Sequence, residues 1–388
     1  MNHRFSALVA AVVLVFSDAG CDAGDVIDPF APVATGSTPN AVTLTSCGNT
    51  RLAAVTASAD ARLNLLHVDI ARSHSVVLPV GSNPWDVAIL ATDNGPRAVV
   101  SLFGNGGIAL IDPCTDADVA VLQTITDDGA IALDPPVDDA TGTPLTSMTP
   151  TTPQAVAFDD DLVYVAFSNI IAFAVGDDAL RAGPGLLLTL RLVSDRLVVQ
   201  RRDILPCENP AALAIAADGD VVVTCSGRYK NGGAGFERAS DGAIVRIDAA
   251  HVEPISSVVL DASPASIVIA DDGSIVVGDA LDGTVARFSA DLVEQARTTP
   301  ADGIDTVFAL SLIDDGRNNR VLVAAHFDGK MVVDPLGAPR THTLHDGPPR
   351  GVIDVVDDAE HDDGDVFVLL TLSAQLQRVA RSDLLAAP

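Results

Sequence analysis

Aromatic and basic residues are scarce in this sequence. Its 388 residues include 1 Trp, 2 Tyr and 12 Phe, and 23 Lys and Arg stand against 52 Asp and Glu, for a net charge of −29. A surface this acidic repels phosphate backbones and anionic lipid headgroups, so nucleic acid is excluded as an expected partner. Because aromatic side chains are few, the core has to be built from Val, Ile, Leu and Ala.

The sequence also lacks an apolar run long enough to span a membrane as a helix. Residues 1–4 form a short basic start, and Phe5–Phe16 is apolar except for Ser6. A run of this length behind a basic start is typical of a secretory signal peptide, which predicts a signal peptide over residues 1–20.

The residues that follow this run carry a processing signal. Ala19-Gly20-Cys21 resembles the end of a bacterial lipobox, in which the cysteine is acylated, although Asp18 stands where that motif has an aliphatic residue. The alternative is simple cleavage after Ala19. We predict lipidation at Cys21, with residues 21–37 as a tether and the membrane contacted through this anchor only.

A short segment recurs along the rest of the chain. In it a turn residue, usually followed by Pro, precedes an alternating apolar strand. The copies are TPNAVTLT (38–45), NPWDVAIL (83–90), TPQAVAFD (152–159), NPAALAIA (209–216), SPASIVIA (263–270), IDTVFALS (304–311) and PPRGVIDV (348–355).

Each copy is followed by an Asp-, Gly- or Asn-rich turn and further strand segments. Four antiparallel strands repeated seven times are typical of a propeller, whereas a β-sandwich would not repeat one four-strand unit. We therefore predict an all-β fold, a seven-bladed β-propeller of four-stranded antiparallel blades over residues 38–388, with blades starting near residues 38, 83, 152, 209, 263, 304 and 348.

One repeat junction resembles a known family. The segment from Val80 to Ala88, VGSNPWDVA, is similar to the junction of YVTN-type propellers, which are relatives of the NHL and lactonase-like families, and Tyr164-Val165-Ala166 is similar to their second-strand motif. The resemblance implies the propeller fold, and it implies no particular activity because the family is functionally diverse.

The last repeat shows only three strands before the chain ends. Its fourth strand is expected either from the C-terminal tail, residues 382–388, or from N-terminal residues near Val26 to Val33, and the sequence leaves both open.

Three insertions interrupt the repeats, at residues 127–152, 168–184 and 227–241. The first lies between blades two and three, and the others join the second and third strands of blades three and four. Connections of these two kinds emerge on the same side of a propeller, so we expect one insertion-bearing face, where binding residues concentrate.

The third insertion gathers basic and aromatic residues that are rare elsewhere in the chain. Its candidate binding residues are Arg228, Tyr229, Lys230, Phe236 and Arg238. Arg and Tyr are favoured anchors of recognition surfaces. The alternative is a loop folded on its own blade, with its arginines paired to carboxylates.

Four cysteines remain if Cys21 is acylated, an even number that suits disulfides in an oxidising compartment. Cys207, expected to begin blade four, and Cys225 lie on one side of the ring. Cys47 and Cys114 lie on the other side, in neighbouring blades. Both bridges are plausible, and the sequence does not choose among the three pairings. The spacings match no CxxC zinc motif and no CxxCH haem motif.

The sequence gives little support for a catalytic site or a metal site. His326 and His345 are expected near the insertion-bearing face, but nothing in their spacing defines a site. Trp85 is expected near the mouth of the central channel, either stacking on a ligand or packed between blades one and two. Asp-rich stretches coincide with turns and do not match a calcium-binding loop. We predict no catalytic residue, no metal and no cofactor.

These observations favour a binding or scaffold role in the cell envelope, with a protein or a glycan recognised through the insertion-bearing face. The alternative is a lactonase-, hydrolase- or lyase-like enzyme with its site at the channel mouth. The sequence does not indicate the oligomeric state.

Overall fold

A computed structural model describes the protein at residues 32–69, 72–115, 120–125, 152–175, 178–232, 236–248, 254–299, 306–315, 319–344, 351–358 and 364–386. Cys21, His345 and the insertion before Thr152 therefore lie outside the described residues. Within these ranges the chain forms 32 strands and one short helix.

The first half of the chain contains blades one to three, together with one strand of blade seven and a hairpin inserted in blade three. In chain order its strands are β1 (Val33–Ala34), β2 (Pro39–Cys47), β3 (Thr50–Ala57), β4 (Arg62–His67), β5 (Ser73–Val77), β6 (Pro84–Thr92), β7 (Gly95–Leu102), β8 (Gly107–Ile111), β9 (Val121–Ile125), β10 (Pro153–Asp159), β11 (Leu162–Phe167), β12 (Ile170–Val175), β13 (Asp178–Ala182), β14 (Pro184–Val193) and β15 (Arg196–Glu208).

Blades four to seven complete the ring. Their strands are β16 (Pro210–Ile215), β17 (Val221–Cys225), β18 (Tyr229–Asn231), β19 (Phe236–Arg238), β20 (Gly242–Ile247), β21 (Pro254–Leu260), β22 (Pro264–Ile269), β23 (Ile275–Asp279), β24 (Val285–Phe288), β25 (Glu294–Thr298), β26 (Val307–Asp314), β27 (Arg320–His326), β28 (Lys330–Val333), β29 (Arg340–Thr343), β30 (Val352–Asp357), β31 (Asp365–Leu370) and β32 (Gln375–Ala380), followed by helix α1 (Arg381–Leu385).

Of these 32 strands, 28 form seven four-stranded antiparallel blades, which confirms the predicted fold class. Blades one, two, five and six each use four consecutive strands, for example β2-β3-β4-β5. Blade three is β10-β11-β14-β15 and blade four is β16-β17-β20-β21, because a hairpin intervenes between the second and third strands of each. The innermost strand of every blade is its first.

The recurring turn residue and Pro have a shared backbone geometry. In six of the seven blades the residue that precedes the inner strand adopts a left-handed conformation, as at Asn83 (φ 46°) and Asn209 (φ 56°). One to three residues later each inner strand carries a β-bulge, seen as a register shift between Pro84 and Val87 and at the matching position of every other blade. A bulge turns a side chain out of the regular alternation, here toward the central channel.

The core lies between blades. Seven clusters of buried aliphatic side chains each span one pair of neighbouring blades, and the seven clusters together close the circle. Val and Ala dominate the second strands, where both faces of a blade are covered, as at Val99 and Val100 of β7, which are fully buried. The expectation of a core built without aromatics is met, apart from Tyr164, Phe167, Phe288 and Phe367.

An N-terminal strand closes the ring. β1 pairs with β32 through Val33 with Leu376 and Ala34 with Gln375, and it supplies the fourth strand of blade seven, in the order β1-β32-β31-β30. The sequence left this choice open between the N-terminal segment and the C-terminal tail. The tail instead forms α1, whose Leu384 packs into the core between blades six and seven.

Two disulfides join neighbouring blades. Cys47 at the end of β2 bonds to Cys114 of blade two, and Cys207 bonds to Cys225 at the end of β17. The expectation that Cys207 begins blade four is wrong, because it lies in β15, the outermost strand of blade three. Both bonds therefore link adjacent blades, and they indicate an oxidising, exported location.

No helix within the described ranges is long and apolar enough to cross a bilayer.

Candidate functional site

The second and third insertions join to form a sheet of their own, a pairing that sequence reasoning missed. The hairpin β12–β13 from blade three pairs with the hairpin β18–β19 from blade four in the order β12-β13-β18-β19, which we term the accessory sheet. Leu180 of β13 stands opposite Tyr229 of β18, and Tyr229 stands opposite Arg238 of β19. Two insertions that the sequence placed only on a common face therefore form one structural unit.

The accessory sheet rests on blade two as well as on its own two blades. Ile170 and Ala182 are buried together, and Phe103 of blade two and Tyr229 pack against them. This contact holds the accessory sheet beside the start of the inner strands, next to the central channel.

A cavity of about 550 Å³ occupies the channel at this end of the inner strands, and we term it the mouth cavity. The residue after the first position of each inner strand, where the bulge redirects the chain, lines it in all seven blades. These residues are Asn40, Trp85, Gln154, Ala211, Ala265, Phe308 and Ile353, and the wall is extended by Ser226 and Tyr229.

Aromatic rings are concentrated around this mouth. Trp85 stacks on Phe103, with ring centroids 4.8 Å apart and planes at 27°. Tyr229 and Phe236 have centroids 6.4 Å apart, and Phe308 meets Phe327 edge to face at 5.4 Å. Among the described residues these are all of the contacts between Phe, Tyr and Trp rings, and all three lie at the same face.

Trp85 and Tyr229 are thus brought together at the mouth cavity. The indole of Trp85 rests on Phe103 of its own blade, and the backbone carbonyl of Trp85 accepts a hydrogen bond from Thr56 of blade one at 3.0 Å. Desolvation raises the pKa of Tyr229 to about 12. Its hydrogen bond with Ser226 lowers the pKa by a smaller amount.

The basic residues of the third insertion are paired with carboxylates. Arg228 lies 3.0 Å from Glu208, and Lys230 lies 3.2 Å from Glu237. Arg238 pairs with Asp261. These pairs match the alternative considered for this loop and leave the mouth without an uncompensated cation from this group. Phe236, by contrast, is 62% exposed on the accessory sheet.

Two carboxylates in the channel wall were not anticipated. Asp86 Oδ2 accepts a hydrogen bond from Val156 N–H of the next blade at 2.8 Å, and its other oxygen accepts from Val87 N–H at 2.8 Å. Asp354 repeats this arrangement in blade seven, with Val42 N–H and Val355 N–H. The signal was present in the repeats, since the matching position holds Ala or Ser in the other five blades.

Burial shifts the acidity of both groups. Desolvation raises the pKa of Asp86 to about 6 although two backbone N–H groups oppose the shift. Desolvation also raises the pKa of Asp354 to about 7, with a further contribution from the negative charge of Asp86. Carboxyl groups of this kind in a cleft exchange protons near neutral pH.

Asn209 adds a buried polar group to the wall. It is 3% exposed, and its amide nitrogen donates to the Gly227 carbonyl at 3.1 Å. Its Oδ1 atom has no hydrogen-bond partner among the described residues. A buried amide oxygen without a protein partner is an acceptor that a bound water satisfies.

The histidines do not join this site. His326 is 2% exposed and does not line the mouth cavity, and His342 lies on the outermost strand of blade six. His345 falls outside the described residues. Within the described ranges no group of three or more His, Cys, Asp or Glu side chains is arranged to hold a metal ion.

A larger cavity, of about 940 Å³, opens at the opposite end of the inner strands. Its wall is mostly aliphatic, with Val42, Leu44 and Val87 among its members, and its cation Arg51 pairs with Asp69 and Asp358. It lacks both the ring contacts and the accessory sheet, so the mouth cavity is the better candidate site.

Comparison with known proteins supports the fold class alone. No family model matches the chain, and no curated protein matches it. Hydrazine synthase from Kuenenia stuttgartiensis is similar in structure, with a TM-score of 0.63 at 12% identity, over 94% of this chain and 99% of that one.

Two further solved structures show the same likeness. Streptogramin B lyase has a TM-score of 0.60 at 11% identity, over 89% of this chain and 95% of that one. A chain of the mitotic checkpoint complex has a TM-score of 0.60 at 12% identity, over 95% and 99%. The protein is a seven-bladed β-propeller, and these similar structures differ widely in the roles that their descriptions state.

Proposed function

We propose that this protein is an exported, lipid-anchored propeller of the YVTN/NHL type that binds a protein or a glycan of the cell envelope through its insertion-bearing face. The observation that carries the proposal is the accessory sheet. Two hairpins from different blades pair beside the mouth cavity and hold Tyr229 in its wall. Loops added to a rigid scaffold and stabilised by their own sheet are typical of recognition surfaces.

The aromatic rings support a binding role at the same face. Exposed aromatic side chains are favoured in recognition surfaces because they supply large contact areas at low conformational cost. Phe236 and Phe308 are 62% and 36% exposed, in a chain whose Phe, Tyr and Trp content is 4%.

The binding proposal is tested by affinity capture with cross-linking from intact cell envelopes. Wild type is compared with a variant in which residues 228–238 are replaced by a short Gly/Ser turn. A matched control is Arg191→Ala, which breaks the exposed pair of Arg191 with Asp161 at the end of blade three opposite the mouth. We expect a partner that wild type and the control capture and that the turn variant loses.

The turn variant has to remain folded for this comparison, which circular dichroism and retention of both disulfides establish. A folded turn variant that captures the same partners as wild type would contradict the proposal.

The lipid anchor is tested separately at Cys21. We expect metabolic labelling with palmitate and membrane flotation for wild type, and loss of both for Cys21→Ala. A Cys21→Ala variant that still floats with membranes would rule out the anchor and leave simple secretion after Ala19.

A second candidate function is catalysis at the mouth cavity, favoured by the raised pKa values of Asp86 and Asp354. A carboxyl that titrates near neutral pH suits general acid–base chemistry. Its test is turnover of lactones and glycosides by wild type and Asp354→Asn. Turnover that follows the ionisation of Asp354 and is lost in the variant would favour the enzyme over the binding protein.

A further inference from the structure

Of the three aromatic contacts at the mouth cavity, those of Trp85 and Tyr229 lie near each other, and that of Phe308 lies across the ring. Trp85 belongs to blade two, Tyr229 to the accessory sheet and Phe308 to blade six, and each ring is in contact with a partner ring of its own. Rings that enclosed one small cation would have to converge on a single point. Rings distributed around the wall of a 550 Å³ cavity instead suit an extended ligand with several apolar faces.

Two carboxyl groups in the wall offer hydrogen-bond acceptors. The carboxyl oxygens of Asp86 and Asp354 each accept one backbone N–H, which leaves further lone pairs. Tyr229 adds a hydroxyl that remains neutral at physiological pH. A ligand that satisfies this wall has to bring hydrogen-bond donors.

Charge selects against an anionic ligand. The chain has a net charge of −29, two carboxyl groups lie in the cavity wall, and the cations of β18 and β19 are paired with carboxylates. An acidic sugar or an acidic peptide would meet this field without a compensating cation.

We propose that the mouth cavity binds a neutral oligosaccharide, whose pyranose faces stack on Trp85, Tyr229 and Phe308 and whose hydroxyls donate to Asp86 and Asp354. This inference rests on the proposed function and assigns the glycan, not a protein, to the insertion-bearing face. Pyranose rings present apolar faces rimmed by hydroxyl groups, and this combination matches a wall that contains both aromatic rings and acceptors.

The chain supplies its own reporter for this site, since Trp85 is the only tryptophan. Its emission is recorded during titration with cellotetraose, maltotetraose and chitotetraose as neutral probes and tetragalacturonate as the anionic probe. We expect a saturable change in emission with at least one neutral probe and none with tetragalacturonate.

Two phenylalanines of similar exposure provide a matched pair of variants. Phe308, 36% exposed, lies at the mouth cavity, and Phe158, 39% exposed, lines the cavity at the opposite end. We expect Phe308→Ala to weaken binding of the neutral probe about tenfold and Phe158→Ala to leave it unchanged. Phe308→Leu keeps most of the side-chain volume but removes the ring, so it should weaken binding in a fully folded protein.

Three results would overturn the inference. One is the absence of any saturable change with the neutral probes up to about 10 mM, beyond the range of specific affinities. Another is equal affinity of wild type and both Phe308 variants. The third is tetragalacturonate binding as tightly as the neutral probes.

The envelope capture experiment separates this inference from the proposed function. A protein partner lost from the turn variant, together with no response to any oligosaccharide, would leave the proposed function standing and show that its ligand is a protein. The absence of both a captured partner and an oligosaccharide response would overturn the two together.

Discussion

Asp354 in the last blade accepts a hydrogen bond from the backbone N–H of Val42 in the first blade, at 2.8 Å and across 312 residues of sequence. Asp86 makes the same bond to Val156 between blades two and three, over 70 residues. Each carboxyl also accepts a hydrogen bond from the N–H group of the residue that follows it. Each carboxyl thus pairs with two backbone N–H groups that the β-bulges leave out of the strand ladder. The same two carboxyls tie neighbouring blades together and line the candidate site.

This arrangement predicts an unusual dependence of stability on pH. The ordinary pKa of an Asp is 3.8, whereas the folded-state pKa values are about 6 for Asp86 and about 7 for Asp354. Between about pH 4 and pH 7 the folded state therefore holds protons that the unfolded state has released, so the free energy of unfolding falls as pH rises. We expect the protein to be about 4 kcal/mol more stable at pH 5 than at pH 8.

Thermal or urea unfolding of wild type and variants at the two pH values measures this effect. In Asp354→Asn the difference between pH 5 and pH 8 should shrink, because a neutral side chain does not titrate. The control is Asp272→Asn, since the hydroxyl of Ser274 lowers the pKa of Asp272 and its titration lies below this window. A difference as large in Asp354→Asn as in wild type would contradict the prediction.

The two disulfides are expected to stabilise the protein unequally. Cys47 and Cys114 close a loop of 67 residues, and Cys207 and Cys225 close a loop of 18. Because a longer loop loses more entropy in the unfolded chain, the first bond should contribute about 4 kcal/mol and the second about 3 kcal/mol. Urea unfolding of the two double Cys→Ala variants gives this ranking, and the reverse order would show that native-state contacts outweigh loop closure.

The strand β1 is expected to act as the latch of the ring. Besides its pairing with β32, the segment donates from Thr35 N–H to the Ala374 carbonyl at 3.0 Å, and Asn64 donates to the Thr35 carbonyl at 2.6 Å. A chain that starts at residue 38 should be at least about 2 kcal/mol less stable than one that starts at residue 32, because these hydrogen bonds and the burial of Val33 are lost.

Light scattering should also show association of the shorter chain, because β32 becomes an open sheet edge. Equal stability of the two chains and no association would mean that the ring closes without β1.

The two tyrosines should resist alkali. Desolvation raises the pKa of Tyr164, buried between blades three and four, and raises that of Tyr229 to about 12. In the folded protein the phenolate absorbance should therefore appear only at a pH above 10, the ordinary pKa of tyrosine. In urea both tyrosines should titrate near pH 10. Tyr229→Phe isolates the signal of Tyr164. Titration of Tyr229 near pH 10 in the folded state would show that the phenol is exposed to water.

Repetition made the architecture accessible to sequence reasoning. One turn residue and Pro ahead of an alternating strand, repeated seven times, predicts blades because each copy needs the same neighbours to cover its faces. This map made two bridges plausible without choosing among the three pairings, and the structure contains both of them. The location of Cys207 was wrong by one strand, since β15 is 13 residues long and extends through the segment that looked like the start of blade four.

The candidate site was only partly accessible. Trp85 and Tyr229 were selected as unusual residues in an aromatic-poor chain, and the structure places both in the wall of the mouth cavity. Asp86 and Asp354 were overlooked because Asp is common in the turns of these repeats. Only the β-bulge places their side chains in the channel wall, where they bond to the next blade. His326 was selected for its position at a strand end, but its burial depends on the packing between blades.

By itself the sequence determined the blade, because alternation of apolar residues and the turn between strands are local properties of each repeat. Only the tertiary structure decided which segments meet across the ring. β13 and β18 are separated by 46 residues yet pair in the accessory sheet, and Val33 meets Leu376 at the closure. Such pairings depend on the curvature that seven blades acquire together, and no local pattern encodes it.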